Sequence, residues 1–200
     1  MKFGIGLDWI KITAGTVHNV RNVAEYTLRT LIEAWHLRNV LAKHIRRANT
    51  ALDFGCGYGR LTFIFYDFAN YIVGIDADKS KIEIAKETYK NLPQFRFDVF
   101  DGDIPYPDAF FDVILTNTVL QHIEDILPVV EEIKRVAGGL VIIAEETDGK
   151  PSPGMYPRPI AEYENLFEPF ELVATYPRIS YVNGEIVQRG AIMVFHAVEE

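Results

Sequence analysis

A chain of 200 residues with 48% hydrophobic residues, 12% aromatics and a mean hydropathy of +0.03 can bury a sizeable core, which excludes extended disorder and points to one domain. No apolar run reaches the roughly 20 residues that span a bilayer, MKFGIGLDWIK at the start lacks the features of a secretory signal, and Cys56 is the only cysteine. A cytoplasmic protein without membrane contact, intramolecular disulfide or metal site is therefore expected, and a net charge of −8 argues against nonspecific binding to a phosphate backbone.

Residues 1–50 hold eight Lys/Arg against three Asp/Glu, which makes this part basic beside an acidic body, in the manner of a solvated helix face. From Asn19 to Arg47, apolar residues at Val20, Ala24, Leu28, Leu31 and Trp35, then Leu37, Leu41 and Ile45, follow the three-and-four spacing of a long or broken amphipathic helix. TALDF reads as strand, RLTFIFYDF as helix and YIVGID as strand, a βαβ unit. Ser80 and Glu83 suggest a capping box for a helix through Ile82, Ala85 and Tyr89 that ends before Pro93.

The alternation continues through FRFDVF and FDVILTN as strands, EDILPVVEEIKRV as helix and GLVIIAEE as a strand covered on both faces, for which a parallel sheet is the economical explanation. TDGKPSPGMYPRP holds four of the ten prolines and is expected to be a loop. IAEYENLF reads as a short helix, and FELVATYPRISYV and AIMVFHAV as two terminal strands joined at Asn183-Gly184.

ALDFGCGYGR carries the chemistry. A strand feeding a glycine-rich turn into a helix presents backbone amides and admits a ligand without Cβ atoms in its way. Gly55, Gly57 and Gly59 form G-x-G-x-G, which is neither the dinucleotide fingerprint G-x-G-x-x-G nor a phosphate loop, and this disfavours a nicotinamide dehydrogenase. Asp53 beside the loop would repel a pyrophosphate yet pair with the amino group of an amino-acid-like ligand. Asp76, at the end of YIVGID, can accept both hydroxyl hydrogens of a ribose.

With FDGDIPYPDAFFDVILTNTVLQHI, these residues resemble the class I S-adenosylmethionine-dependent methyltransferases, especially their broad small-molecule group, over about Ala51 to Glu145. The resemblance implies a Rossmann-like α/β fold: a seven-stranded, mostly parallel sheet with helices on both faces and one antiparallel strand near the C-terminus. It implies S-adenosylmethionine as cofactor, with Asp53 near the methionine amino group, Gly55, Cys56, Gly57 and Gly59 along the methionine and ribose, Asp76 on the ribose hydroxyls and Ala77 against the adenine. Thr116 and Asn117 would pass the methionine moiety, with Gln121 and His122 near the transferred methyl. DGDIPY is a residue short of the family pattern, so Asp101, with Gly102 beside it, is assigned to the adenine amino group, with Asp103 and Asp98 as alternatives.

The expected layout is a helical extension over residues 1–48, a cofactor core over 49–146 and a substrate-side loop with terminal strands over 147–200. His122 is the candidate general base, with a cap or packing role as its alternative. Glu145 or Glu146 is placed toward the substrate or at a solvated edge, and Arg158 either pairs a substrate anion or belongs to a plain connecting loop. The acceptor is expected to be a small molecule. An RNA or protein methyltransferase and a catalytically silent partner subunit are the rivals, the RNA reading weakened because TNTVL replaces the [DN]-P-P-[YF] used to hold a flipped base. Oligomeric state is not encoded in any of these features.

Overall fold

The structure, a computed structural model, describes residues 23–198; His18, Val20 and the opening MKFGIGLDWIK lie outside the described residues. In chain order the elements are α1 (Val23–His44), β1 (Ala48–Phe54), a 3-10 turn (Thr62–Phe65), β2 (Ala69–Asp76), α2 (Lys79–Tyr89), β3 (Phe95–Val99) and β4 (Phe111–Asn117). A second 3-10 turn (Leu120–His122), α3 (Leu127–Val136), β5 (Ala137–Glu145), α4 (Ile160–Phe167), β6 (Glu171–Val182) and β7 (Glu185–His196) complete the chain. The strands form one seven-stranded sheet in the order β3-β2-β1-β4-β5-β7-β6. Neighbours from β3 to β5 pair in parallel, and β7 runs antiparallel to both β5 and β6, so a single strand is reversed, as expected.

Side chains alternate across the strands and sort the core into two layers. Leu52, Val73, Ile114, Val141 and Ile143 face one way and pack with Val130 and Ile133 of α3 and Tyr163 and Phe167 of α4. Ala51, Ile72, Val113, Leu115 and Ile142 face the other way, against Leu37, Val40 and Leu41 of α1 and Phe65 of the first 3-10 turn. Each fully buried aliphatic or aromatic side chain contributes about 1.5–3 kcal/mol, so the strength lies in the central strands. The strand order reverses between β1 and β4, and the crevice beyond the carboxyl ends of such a pair is where an open α/β sheet accommodates a ligand.

Three details differ from the sequence expectations, and a fourth, the proline in β6, has a structural reason. The segment after the glycine loop is not an α-helix but the four-residue turn Thr62–Phe65, because its β-branched and aromatic residues favour burial against the sheet over helix propagation. Helix α2 is capped by Asp78, whose carboxylate accepts the Ser80 and Lys81 amides, and not by a Ser80–Glu83 box. On α1 the buried stripe runs through Thr30, Glu33, Ala34, Leu37, Val40 and Leu41, while Leu28, Leu31 and Trp35 are exposed. Pro177 sits within β6, which is tolerated because β6 is an edge strand, covered by α1 through His36 Nε2 to the Pro177 carbonyl at 2.7 Å.

Candidate functional site

A cavity of about 540 Å³ opens beyond the carboxyl ends of β1 and β4. Its floor includes Asp53, Gly55, Cys56 and Gly57, with Asn117, Gln121 and His122 to one side. The three loop glycines have positive φ angles, but the space around them differs. A Cβ on Gly55 would lie 2.2 Å from Val119 and one on Gly59 2.8 Å from the Tyr89 ring, so these two allow packing against neighbours. A Cβ on Gly57 would meet only Lys81 Cδ, at 4.0 Å, so this glycine borders open space.

The loop does not bare its amides. Gly55 and Cys56 both donate to the Ile75 carbonyl at 2.8 and 2.9 Å, Gly57 donates to Asp76 Oδ2 at 2.8 Å, and Gly59 donates to the Cys56 carbonyl at 3.0 Å. Parallel strand β2, ending beside the loop, takes the Gly55, Cys56 and Gly57 amides, and the loop itself takes that of Gly59. What the loop offers a ligand is shape and carbonyl oxygens.

Asp53, at the end of β1, is buried and accepts the Thr62 hydroxyl at 2.5 Å. Burial pushes its carboxyl up to about 7 against the opposing effects of Thr62 and Arg60, with Asp76 adding to the rise. A buried acid in this state gains by meeting a cation. Asp76 is half-buried, and its second oxygen accepts the Asp78 amide at 2.9 Å; each carboxylate oxygen keeps a lone pair for a hydroxyl donor.

Past β4, Glu145 is fully buried and accepts the amides of Val119 and Leu120 at 2.9 and 3.1 Å and of Gln121 at 3.3 Å. Desolvation raises its carboxyl despite these three bonds. Glu145 thus shapes the turn that carries Gln121 and His122, and Glu146 is the one that lines the cavity. Gln121 accepts the Glu146 amide at 2.8 Å. His122 Nδ1 lies 2.8 Å from the Gly154 carbonyl, an acceptor only, so a neutral ring carries its proton on Nδ1 and keeps the lone pair on Nε2.

Arg158 does not face the cavity. It is buried, and its three nitrogens are taken by the Leu120, Tyr156, Ile123 and Glu124 carbonyls and by Glu162, which makes it a clamp for the loops and leaves the substrate-anion alternative without support. Thr116 is turned into the core toward Glu145. Gly59 and Asp76 do not line the cavity, although Asp76 reaches its edge through the Gly57 amide, and Ala77, Asp101, Gly102 and Asp103 are exposed at the same end of the sheet and do not line it either. Asp98 is paired with Arg96 at 2.8 Å and accepts the Tyr106 hydroxyl at 3.1 Å.

Sequence reasoning missed the remaining wall, made of Tyr26, Arg29 and Glu33 from α1, Arg60, and Arg178 and Ser180 from β6. Glu33 meets Arg60 at 2.7 Å and accepts the Ser180 hydroxyl at 2.7 Å. Burial raises the Glu33 carboxyl, but Arg60, Ser180, Arg178 and Arg29 together outweigh it and hold it below the usual range. The one signal was the basic balance of residues 1–50, and nothing in it distinguishes Arg29 from its solvated neighbours.

Residues 52–143 match the family model described as "Methyltransferase domain". The chain is 29% identical over 119 residues to the demethylmenaquinone methyltransferase of Bacillus licheniformis, covering 56% of this chain and 50% of that protein. It is 33% identical over 96 residues to the ubiquinone biosynthesis O-methyltransferase of Pelagibacter ubique, covering 46% and 40%. The chain thus spans half or less of the length of these curated relatives. Among solved structures, the YcgJ protein of Bacillus subtilis superposes with a TM-score of 0.66 at 16% identity, covering 85% of this chain and 99% of that one, a likeness of fold.

Proposed function

We propose that the chain, whose residues 52–143 match the methyltransferase domain family, is a class I S-adenosylmethionine-dependent methyltransferase that transfers the cofactor's methyl group to a small-molecule acceptor bound in the 540 Å³ cavity. The observation that carries the proposal is the pairing of a buried, cation-seeking Asp53 with open space over Gly57 and with the Asp76 carboxylate on the adjacent strand. The carboxylates and the open glycine match an ammonium at one end and a ribose diol at the other, and the volume lies within the roughly 300–1,000 Å³ of small-molecule sites.

S-adenosylmethionine supplies a methyl group on a sulfonium, so the protein's task is alignment, exclusion of water and proton removal from the acceptor. Asp53 would hold the ammonium, Asp76 the ribose hydroxyls, and Gly55, Cys56 and Gly57 the stem between them, with Asn117 and Gln121 on the side of β4. His122 Nε2 is the proposed proton acceptor, its ring fixed by the Gly154 carbonyl. Ala77, Asp101 and Gly102 remain proposed for the adenine, at the exposed rim beyond the cavity lining.

Calorimetry with S-adenosylhomocysteine tests the cofactor reading. Micromolar-range binding by the wild type is expected, with Asp76→Ala weaker by ten- to a hundredfold, the loss of hydrogen bonds to a charged acceptor worth about 1.5–3 kcal/mol. Equal binding by both proteins, or none by either, would count against it. A labelled-methyl screen over small acids, amines and phenols, with protein and RNA as controls, then tests the acceptor class.

A further inference from the structure

Five cationic residues, Arg29, Arg60, Lys81, Arg178 and Arg189, line the cavity against the three acidic residues Asp53, Glu33 and Glu146, and Lys81 meets Asp78 at 3.7 Å. Arg60 lies 2.7 Å from Glu33 Oε2, an oxygen that itself lacks a well-aligned hydrogen bond, and Arg189 lies 2.9 Å from Glu146, so both carboxylates already face an arginine, while Asp53 is only partly ionised at neutral pH. Arg178 approaches Glu33 no nearer than 3.9 Å, on the oxygen that already accepts the Ser180 hydroxyl. No ion pair among the described residues involves Arg29, whose guanidinium lies 5.7 Å from the Tyr26 ring centre.

Both of these arginines have a buried Nε with no hydrogen-bond acceptor among the described residues. Such groups are uncommon in folded proteins, because a donor removed from water and left unmatched is destabilising. Arg158, about equally buried, shows the contrast, since all three of its nitrogens are matched. Arg178 is 5% exposed and lies opposite an irregularity in the β6–β7 ladder, where three residues of β7 span the step from Pro177 to Ile179. The extra residue, around Arg189 and the positive-φ Gly190, turns the Arg189 carbonyl toward Arg178 Nη1 at 3.0 Å. Thr118 Oγ1 receives Nη2 at 3.4 Å, so the guanidinium is held at its tips and its Nε is left over. A fork fixed in this way suits an oxyanion, which Lys in its place would not meet in the same geometry.

Resting on the assignment of this cavity to the cofactor and its methyl acceptor, we propose that the acceptor bears an oxyanion, a carboxylate or a phosphate, held by Arg178 and Arg29 on the wall formed by α1 and β6. Within this proposal the single carboxylate of the cofactor's amino-acid end is assigned to Arg60, which follows the glycine loop and is near enough to Asp53 to lower its proton affinity. Arg178, on the hairpin of β6 and β7, keeps an unmatched Nε and is the group assigned to the second ligand.

The test titrates benzoate, phenyl phosphate and neutral benzamide into protein saturated with S-adenosylhomocysteine. At least one anionic probe is expected to bind ten times more tightly than benzamide, and which one does so separates carboxylate from phosphate. In Arg178→Gln the preference should fall below threefold while the Kd for S-adenosylhomocysteine stays within twofold of wild type. Arg29→Gln, at a half-buried helix position, provides the same readout should the first variant fail to fold, with a partial loss expected. Equal binding of charged and neutral probes by the wild type, or a preference that survives both substitutions, overturns the proposal. A tenfold weakening of S-adenosylhomocysteine in Arg178→Gln also overturns it, by assigning that guanidinium to the cofactor. Failure of S-adenosylhomocysteine to bind the wild type is a separate result that removes the cofactor reading itself and the proposal with it.

Discussion

Asp53 and Glu33 are both buried carboxyls near Arg60, yet their protons respond in opposite senses. Asp53 is held above its unfolded value, so the stability it confers is complete below about pH 4 and is lost as pH rises toward 7; Glu33, held below, contributes above its unfolded value and loses that contribution in acid. Asp53→Asn is therefore expected to raise the melting temperature of the ligand-free protein at pH 8 and to have little effect near pH 4. Its stabilisation should be on the order of 2–4 kcal/mol at the upper bound, read by thermal unfolding across that range. Cofactor affinity has the reverse dependence. An ammonium is paired by the ionised form, so binding should strengthen from pH 6 to 8 in the wild type and be weak and flat in Asp53→Asn, as calorimetry at each pH would show.

The glycines give a second comparison at this scale. Gly55→Ala drives a methyl into Val119 and should lower stability by a few kcal/mol through overpacking and backbone strain together. Gly57→Ala adds only the strain of a φ of 57° for a residue with a Cβ, about 1 kcal/mol, while its methyl enters the open space proposed for the cofactor. It should fold and lose affinity at least tenfold. Asp53, the glycines and Asp76, proposed here for the cofactor, could be grouped from sequence because they lie close together between the end of β1 and the end of β2. Arg178 was not, since its partners Thr118, Glu33 and Arg189 are brought to it only by the sheet.

At the scale of elements, the turn after β4 depends on one carboxylate. Glu145→Ala strands three amides that no neighbour is placed to accept, and is expected to cost about 3 kcal/mol or more; Glu145→Gln, which keeps one oxygen acceptor, should cost less, with denaturant midpoints reporting both. Strand positions followed from apolar runs because central parallel strands are buried on both faces. The 3-10 turn after the glycine loop read as helix because RLTFIFYDF contains apolar residues at helical spacing, which packing against the sheet also demands. On α1 the buried stripe includes Thr30 and Glu33, whose polarity hid it: Thr30 bonds back to the Tyr26 carbonyl at 2.9 Å, and Glu33 is paid for by its arginine and Ser180.

Across the whole molecule, the parallel sheet was legible from the alternation of strands and helices and the terminal hairpin from Asn183-Gly184, where both residues have positive φ, while the single reversed strand followed from the family resemblance. What the alternation does not specify is which helix covers edge strand β6, and so which side chains close the cavity. Saturation with S-adenosylhomocysteine at about 100 times its Kd should stabilise the fold by about 2.7 kcal/mol, a rise of roughly 5–11 °C in Tm, with a much smaller rise in Asp76→Ala. The family model spans residues 52–143 and so leaves out α1, β6 and β7, the elements that carry Arg29, Glu33, Arg178 and Ser180.

The Glu33–Ser180 hydrogen bond joins positions 147 apart in the chain. The side of the cavity across from Asp53 and the glycine loop therefore exists only where the hairpin of β6 and β7 is packed on α1, so a change at Glu33 or Ser180 reshapes the cavity without touching the strands that carry its floor.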